Sequence, residues 1–370
     1  MQISTNTTGL CAGLTVATDK LGDDYWVVAI KGTFVVDGQG LCHAAEQQVA
    51  LVYSDVHYGL PDKSSIAYES DFALYKPCTD VVVEGSAVAP LCRPIERLLV
   101  GLEIGAKKKQ LLVLGDRWWE RGVFGIRPSA IRPFREMPLR YELAFGGSDC
   151  SHANPRYHGT ELRNPVGLGY HCNPEAASAL GTPLPNLENP LEPIRVPTDV
   201  PAPHGFGAIS RTWQPRLRFA GTFDHSWINN TFPFLPADFD NRYFLCAPPD
   251  QQVPHLRGGE IVRCTHMTPE GEFFATLPQP SLPVIFQFMD RAIQTEPLLD
   301  TVVVQPTRRC IILIWRARMA AGHKLTHLRE IRVGLPREPQ RLQRRKNGKP
   351  YFRSLAELAV WRQLLRRRAS

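Results

Sequence analysis

Four prolines in the first 127 residues and fourteen in the next 88 set the strongest constraint on this 370-residue chain. Proline has no backbone N–H and clashes with the turn before it, so residues 128–215 cannot be built from long helices or central strands. The segment is still not of low complexity, because Phe134, Phe145, Leu184, Leu187 and Trp213 are scattered along it. It reads as an ordered, irregular excursion packed on neighbouring elements, with room for one short helix over Pro174–Leu180, opened by Pro and closed by Gly181.

On either side the sequence alternates. Trp26, Val28 and Ile30 fall on one face, and Asp37-Gly38 supplies a hairpin turn. Further strands are predicted over Val49–Tyr53, Ile66–Asp71, Thr79–Val88, Ile95–Ile104 and Gln110–Leu114, with Lys107-Lys108-Lys109 as a solvated turn. After Phe219 the pattern resumes over Tyr243–Ala247, Glu260–Met267, Glu272–Thr276 and Val284–Met289. A last hairpin joins Thr301–Val304 to Cys310–Ala317 through Gln305-Pro306-Thr307-Arg308. Ile311–Trp315 is apolar on both faces, which marks a central strand. The expectation is a mainly β architecture with many antiparallel strands and long Pro-rich loops. Residues 1–334 form one such domain, with 128–215 as its irregular segment, followed by a basic linker and short amphipathic helix over 335–370.

The formal charge of +7 is concentrated in that tail. Residues 335–370 carry nine Arg and two Lys against Glu338 and Glu357, leaving the body close to neutral. A near-neutral body is not the footprint of a nucleic-acid-binding fold. Ser354-Leu355-Ala356-Glu357 has the form of a capping box opening a helix, on which Leu358, Trp361 and Leu365 share a face beside Arg362 and Arg366. Such a helix could dock on an acidic partner, an anionic membrane or a nucleic acid; docking or packing against protein fits the neutral body better. Nine cysteines, odd in number and without a CxxC pair, fit reduced thiols and a cytoplasmic location. No signal peptide and no apolar run long enough to span a bilayer is read.

The signals for chemistry are weak. His323 and His327 have the spacing of two ligands on a helix face, with Glu330 in reach were the segment helical, but a packed or surface pair explains them as well. Thr222-Phe223-Asp224-His225-Ser226 lines up an acid, an imidazole and a hydroxyl, yet triads are assembled in space and not in sequence. No nucleophile elbow and no P-loop occurs. No catalytic residue, metal or cofactor is expected, and the chain is read as a non-enzyme. Gly115-Asp116-Arg117-Trp118-Trp119 is more informative. A strand ends in a turn carrying an arginine and two tryptophans, the residue types that dominate protein interfaces, although a core tryptophan and a local Asp116 pair explain it equally.

An ordered series of short blocks carries a resemblance. It runs through Tyr68-Glu69-Ser70-Asp71-Phe72-Ala73, Lys76-Pro77-Cys78-Thr79-Asp80-Val81, Gly115-Asp116-Arg117-Trp118 and Met137-Pro138-Leu139-Arg140-Tyr141-Glu142-Leu143-Ala144-Phe145-Gly146-Gly147. Asn164-Pro165-Val166-Gly167, Leu184-Pro185-Asn186-Leu187-Glu188, Gly205-Phe206-Gly207 and Pro215-Arg216 follow. The series closes with Ala220-Gly221-Thr222-Phe223-Asp224, Leu235-Pro236-Ala237-Asp238-Phe239-Asp240, Ala247-Pro248-Pro249-Asp250-Gln251-Gln252 and Asp300-Thr301-Val302. Over about residues 20–320 this resembles the domain-of-unknown-function 2169 family. The resemblance implies an adaptor or chaperone that binds a type VI secretion toxin effector and helps load it onto the VgrG/PAAR spike. Its implied partners are that toxin and the VgrG or PAAR proteins. The alternatives are a hydrolase-like enzyme, or binding of nucleic acid or an anionic surface through the tail. Arg117, Trp118, Trp119, Trp361, Arg362 and Arg366 are the candidate partner-binding residues.

Overall fold

The computed structural model describes residues 3–172, 179–322, 328–335 and 361. It is mainly β, as the alternation predicts, with three principal sheets. The largest has the order Gln252–Val253, Thr79–Val83, Leu298–Gln305, Cys310–Ala320, Asp24–Val36, Cys11–Thr18. Its pairings are antiparallel except that of Thr79–Val83 with Leu298–Gln305. A five-stranded antiparallel sheet joins Leu187–Glu188, Lys107–Leu114, Arg97–Ile104, Ile261–Thr265 and Glu272–Thr276. A four-stranded sheet joins Ile3–Asn6, Leu328–Val333, Val284–Phe288 and Ala292–Thr295.

All three sheets feed one apolar core, in which Ile30, Val100, Leu111, Phe286, Val302 and Ile331 are completely or almost completely buried. The Cys310–Ala320 strand lies between two long partners, the central place its sequence predicts. Its residues alternate between two cores: Ile311, Leu313 and Trp315 face the main one, while Ile312 and Ile314 join Val82, Val303, Ile66 and Cys246 in a second. Both faces are therefore covered, which is why period-2 polarity is missing there.

The cover on the second face comes from short and irregular pieces of chain that carry Ile66, Ala208, Cys246 and Ala247. Among the described residues between 128 and 215, the regular elements are strands of two or three residues, single 3-10 turns and a helical residue at Ala179. Phe134, Phe145, Leu184, Leu187 and Trp213, the apolar residues that argue for an ordered excursion, are all buried. The turn at Gly146-Gly147 depends on glycine. Both have positive φ, and a Cβ on Gly146 would lie 2.1 Å from the Asn164 carbonyl oxygen.

Several local expectations change, and Thr79–Val88 is two strands, Thr79–Val83 and Ser86–Val88, in separate sheets. Lys107–Leu114 is one strand, and the turn lies before it at Gly105, so Lys109 enters the interior instead of a solvated loop. Residues 49–53 form no strand, and Asn241–Phe244 is a 3-10 turn capped by Asp240, not a strand. His323 and His327, most of the proposed Pro174–Leu180 helix, and the tail apart from Leu335 and Trp361 lie outside the described residues; Glu330 lies on the Leu328–Val333 strand. None of the nine cysteines is in a disulfide. Among the described residues, no helix is long and apolar enough to cross a membrane.

Candidate partner-binding surface and the charge network behind it

Several blocks that carry the resemblance lie far apart in sequence but meet on the second face of the large sheet. The strands contribute Lys31, Asp80, Thr301 and Arg316 there, and the irregular cover contributes Glu69, Asp71 and Arg216, all with buried or nearly buried side chains. Lys76 Nζ donates to Asp80 (2.7 Å), Thr301 Oγ1 (3.1 Å) and Glu69 (3.2 Å). Asp80 also accepts the Cys246 and Ala247 amides, so one carboxylate ties a strand to the chain that covers it. Lys31 pairs with Asp71 at 3.0 Å, and Arg316 bonds both Asp300 and the Asp71 carbonyl. Arg216 bonds Glu69 and the Ile209 and Tyr243 carbonyls.

Burial raises the Glu69 pKa, but Arg216, Lys76 and Arg211 outweigh it and hold this carboxyl near 2. Burial alone would lower the Lys76 pKa; Asp80, Cys246 and Glu69 reverse this and raise it. Burial, reinforced by Asp80 and Glu69, pushes the Cys246 thiol well above its ordinary value, so it is no nucleophile at neutral pH. Glu69, Asp80 and Cys246 bring three potential ligand atoms within 4.8 Å of one another. The Lys76 ammonium sits among them, 3.8 Å from the Cys246 sulfur, and fills the place a metal cation would take. The cavity beside the network measures about 30 Å³, room for a water or two and not for an organic substrate. The network is a clamp between sheet and cover.

A second cluster of titratable groups lines a cleft of about 440 Å³ that includes Lys109, Tyr141, His204, Arg218 and Asp250. Burial, partly offset by Asp250, pushes the Lys109 amine down to about 8. Its three N–H groups are already committed to the Gly205 carbonyl (2.6 Å), Asp250 (2.9 Å) and Gln251 (2.9 Å), so it presents no free donor to the cleft. Asp224 caps the His225–Asn230 helix through the Trp227 amide (2.8 Å), which accounts for its position next to His225.

The candidate interface residues separate. Arg117 is 7% exposed and bonds Glu188 and the Pro185 carbonyl. Trp119 is 2% exposed and packs with Phe145, Leu184 and Ile194. Both are interior groups, so of the two readings of 115–119 the burial favours the core one for Arg117 and Trp119, and the turn is an internal anchor for the Pro-rich excursion. Trp118 is half-buried, with the Arg132 guanidinium 4.6 Å from its ring centre. Trp361 is exposed, while Arg362 and Arg366 lie outside the described residues.

The surface that does expose aromatic area was not singled out by the sequence. Residues 217–234 form a knuckle around Trp227, whose ring lies 4.8 Å from Phe223 and 5.6 Å from Phe232 and whose indole N–H donates to the Phe234 carbonyl. Phe223, Ile228, Phe232 and Phe234 all face solvent, Phe232 at 66% exposure. The signal was present in Phe223, Trp227, Phe232 and Phe234, an aromatic residue every few positions. No periodicity distinguished it from packing. The knuckle borders a groove of about 510 Å³ between Thr15–Asp19 and a wall that includes Phe72, Phe234 and Phe244.

No curated protein and no solved structure matches the chain. A family model described as an uncharacterized protein conserved in bacteria, DUF2169, matches residues 21–316, most of the sequence and nearly all the blocks that build the network, and the chain belongs to that family.

Proposed function

We propose that this protein is a non-enzymatic adaptor that binds a type VI secretion toxin effector and helps load it onto the VgrG/PAAR spike. The secretion role comes from the resemblance of the sequence blocks. The observation that supports binding of protein is the solvent-facing aromatic knuckle of Phe223, Ile228, Phe232 and Phe234. Contiguous exposed aromatic area of this kind marks an interaction site, because leaving it in water forgoes a large hydrophobic gain. A scaffold stiffened by a buried charge clamp suits a carrier, which must hold such a surface in shape without a cofactor or a reaction.

Affinity purification of the tagged chain from a cell expressing its secretion genes, followed by mass spectrometry, tests the reading. Recovery of a toxin with VgrG or PAAR proteins is expected. A Phe223→Ser, Phe232→Ser chain, altered only at exposed positions, should recover less of them. Recovery of the chain alone overturns the adaptor reading.

A further inference from the structure

The Cys11–Thr18 strand is the outer edge of the large sheet, paired with Asp24–Val36 on one side only. The Asp19 amide donates to the Asp23 carbonyl, and this pair continues the register of the ladder. Hydrogen-bonded and non-bonded pairs alternate along an antiparallel ladder. The odd-numbered residues of the edge strand therefore bond inward. Ala12, Leu14, Val16 and Thr18 aim their N–H and C=O groups outward. Among the described residues, none of these four N–H groups has an acceptor.

The groove lies along that edge. Five consecutive residues, Thr15 to Asp19, line it; a cavity over one face of a strand would touch only alternate residues. Its far wall is Phe72–Leu74 with Pro233–Leu235. Lys20 closes one end by donating to the Ala237 and Phe239 carbonyls at 3.3 Å. Asp19 is the only charged side chain among the lining residues.

We infer that this groove takes an extended segment of the partner protein, which adds to the sheet as a new strand beside Cys11–Thr18. The unpaired amides and the outward carbonyls supply the main-chain bonds, the Val16 carbonyl being otherwise touched, among the described residues, only by the Thr15 hydroxyl at 3.5 Å, and the aromatic wall takes alternate apolar side chains. Asp19 favours a basic residue at the hairpin end of the segment. This deepens the adaptor reading and rests on it for the identity of the partner, but its chemistry can be tested without that identity.

The probe is an acetylated, fluorescently labelled peptide of about eight residues, alternating valine with lysine or threonine, long enough to span the strand. Saturable binding to the full-length chain by anisotropy is expected, with slowed amide exchange at Leu14, Val16 and Thr18. Val16→Pro removes one outward N–H and no ladder bond, a place where edge strands tolerate proline. It should weaken binding about tenfold or more, while Val16→Thr leaves it nearly unchanged. The same peptide N-methylated on alternate residues tests the point without altering the protein and should not bind. No saturable binding, or equal affinity for Val16→Pro and the N-methylated peptide, overturns strand addition. So does a wild-type dimer in light scattering that Val16→Pro makes monomeric, because the occupant is then a second copy. Slow exchange at the three amides in the isolated monomer would assign the groove to the chain's own tail and also overturn the inference. A failed peptide experiment beside a successful recovery of toxin refutes strand addition and leaves the adaptor reading standing. The reverse result separates them the other way.

Discussion

Replacing Glu69 by Gln removes one charge from the centre of the clamp and keeps its shape. Glu69 is held ionised by Arg216 and Lys76, which lowers its pKa to about 2 against an ordinary value near 4.5. A folded-state pKa depressed by about two and a half units corresponds to roughly 3–4 kcal/mol of stability at neutral pH. Breaking a buried ion pair costs about 3–5 kcal/mol, so the two routes agree at the lower bound, as expected for a Gln that can still accept one hydrogen bond. With an unfolding entropy of about 2.1 cal/mol/K per residue, a chain of this length should melt about 4 °C lower. The pH dependence is the stricter test. A depressed carboxylate contributes fully above its unfolded pKa, and that contribution is lost as pH falls through the folded pKa. The melting difference between wild type and Glu69→Gln should be constant from pH 7 to about 5 and shrink between about 4.5 and 2. Titrations common to both chains cancel in the difference. A difference below about 1 kcal/mol at pH 7, or one that stays flat down to pH 2.5, would refute the assignment of Glu69 as the clamped carboxylate.

Trp119→Ala should lower stability by about 3–5 kcal/mol, since the ring is 2% exposed and its removal leaves a cavity against Phe145, Leu184 and Ile194; thermal melting measures it. Gly146→Ala should prevent recovery of soluble folded protein, because its Cβ would meet backbone at 2.1 Å in a conformation that L-residues rarely adopt; the soluble yield beside wild type checks it. Lys109→Met isolates the depressed amine. Because the folded pKa is near 8 and the unfolded value near 10.4, protonation below pH 8 is harder for the folded state, and this penalty disappears as pH rises. The stability of wild type relative to Lys109→Met should therefore increase between about pH 8 and 10 in urea denaturation, and a constant difference would contradict the assignment.

The β class and most strands were legible because period-2 alternation and turn residues are local. Glu272–Thr276 lies where its alternation predicts, and Cys310–Ala320 is central, as its two apolar faces require. Val49–Tyr53 failed because its neighbours, not its own pattern, decide its conformation. It is drawn to Asp71, which accepts the Val52 amide at 2.6 Å. Lys109 was misplaced because a run of three lysines looks solvated, and nothing nearby in sequence announces the Gly205 carbonyl, Asp250 and Gln251 that receive its amine. The clamp was legible only as blocks. Glu69, Lys76, Asp80, Arg216 and Thr301 each lie in a block that carries the resemblance, but that they meet is a fact of sheet order. The Arg117–Trp119 turn illustrates the converse, since residues favoured at interfaces are also those that fill and anchor a core.

The clamp and the groove share chain, and this ties stability to recognition. Glu69 and Asp71 are pinned to Arg216, Lys31 and Arg316, and the next three residues, Phe72–Leu74, form the far wall of the groove. Buried ion pairs are weak sources of net stability compared with apolar packing, but they fix relative position because a displaced charge has no solvent to compensate it. If the wall is held by the clamp, Glu69→Gln should weaken the alternating peptide although Glu69 is not a lining residue. Loosening the wall adds ordering cost to each binding event, and a loss of about 1 kcal/mol is a drop in affinity of about fivefold. Anisotropy at pH 7, well below the melting temperature of the variant, measures it. Unchanged affinity in a folded Glu69→Gln chain would mean that the wall is held by Tyr53 stacking on Phe72, whose ring centres are 4.8 Å apart, and that the clamp serves the fold alone.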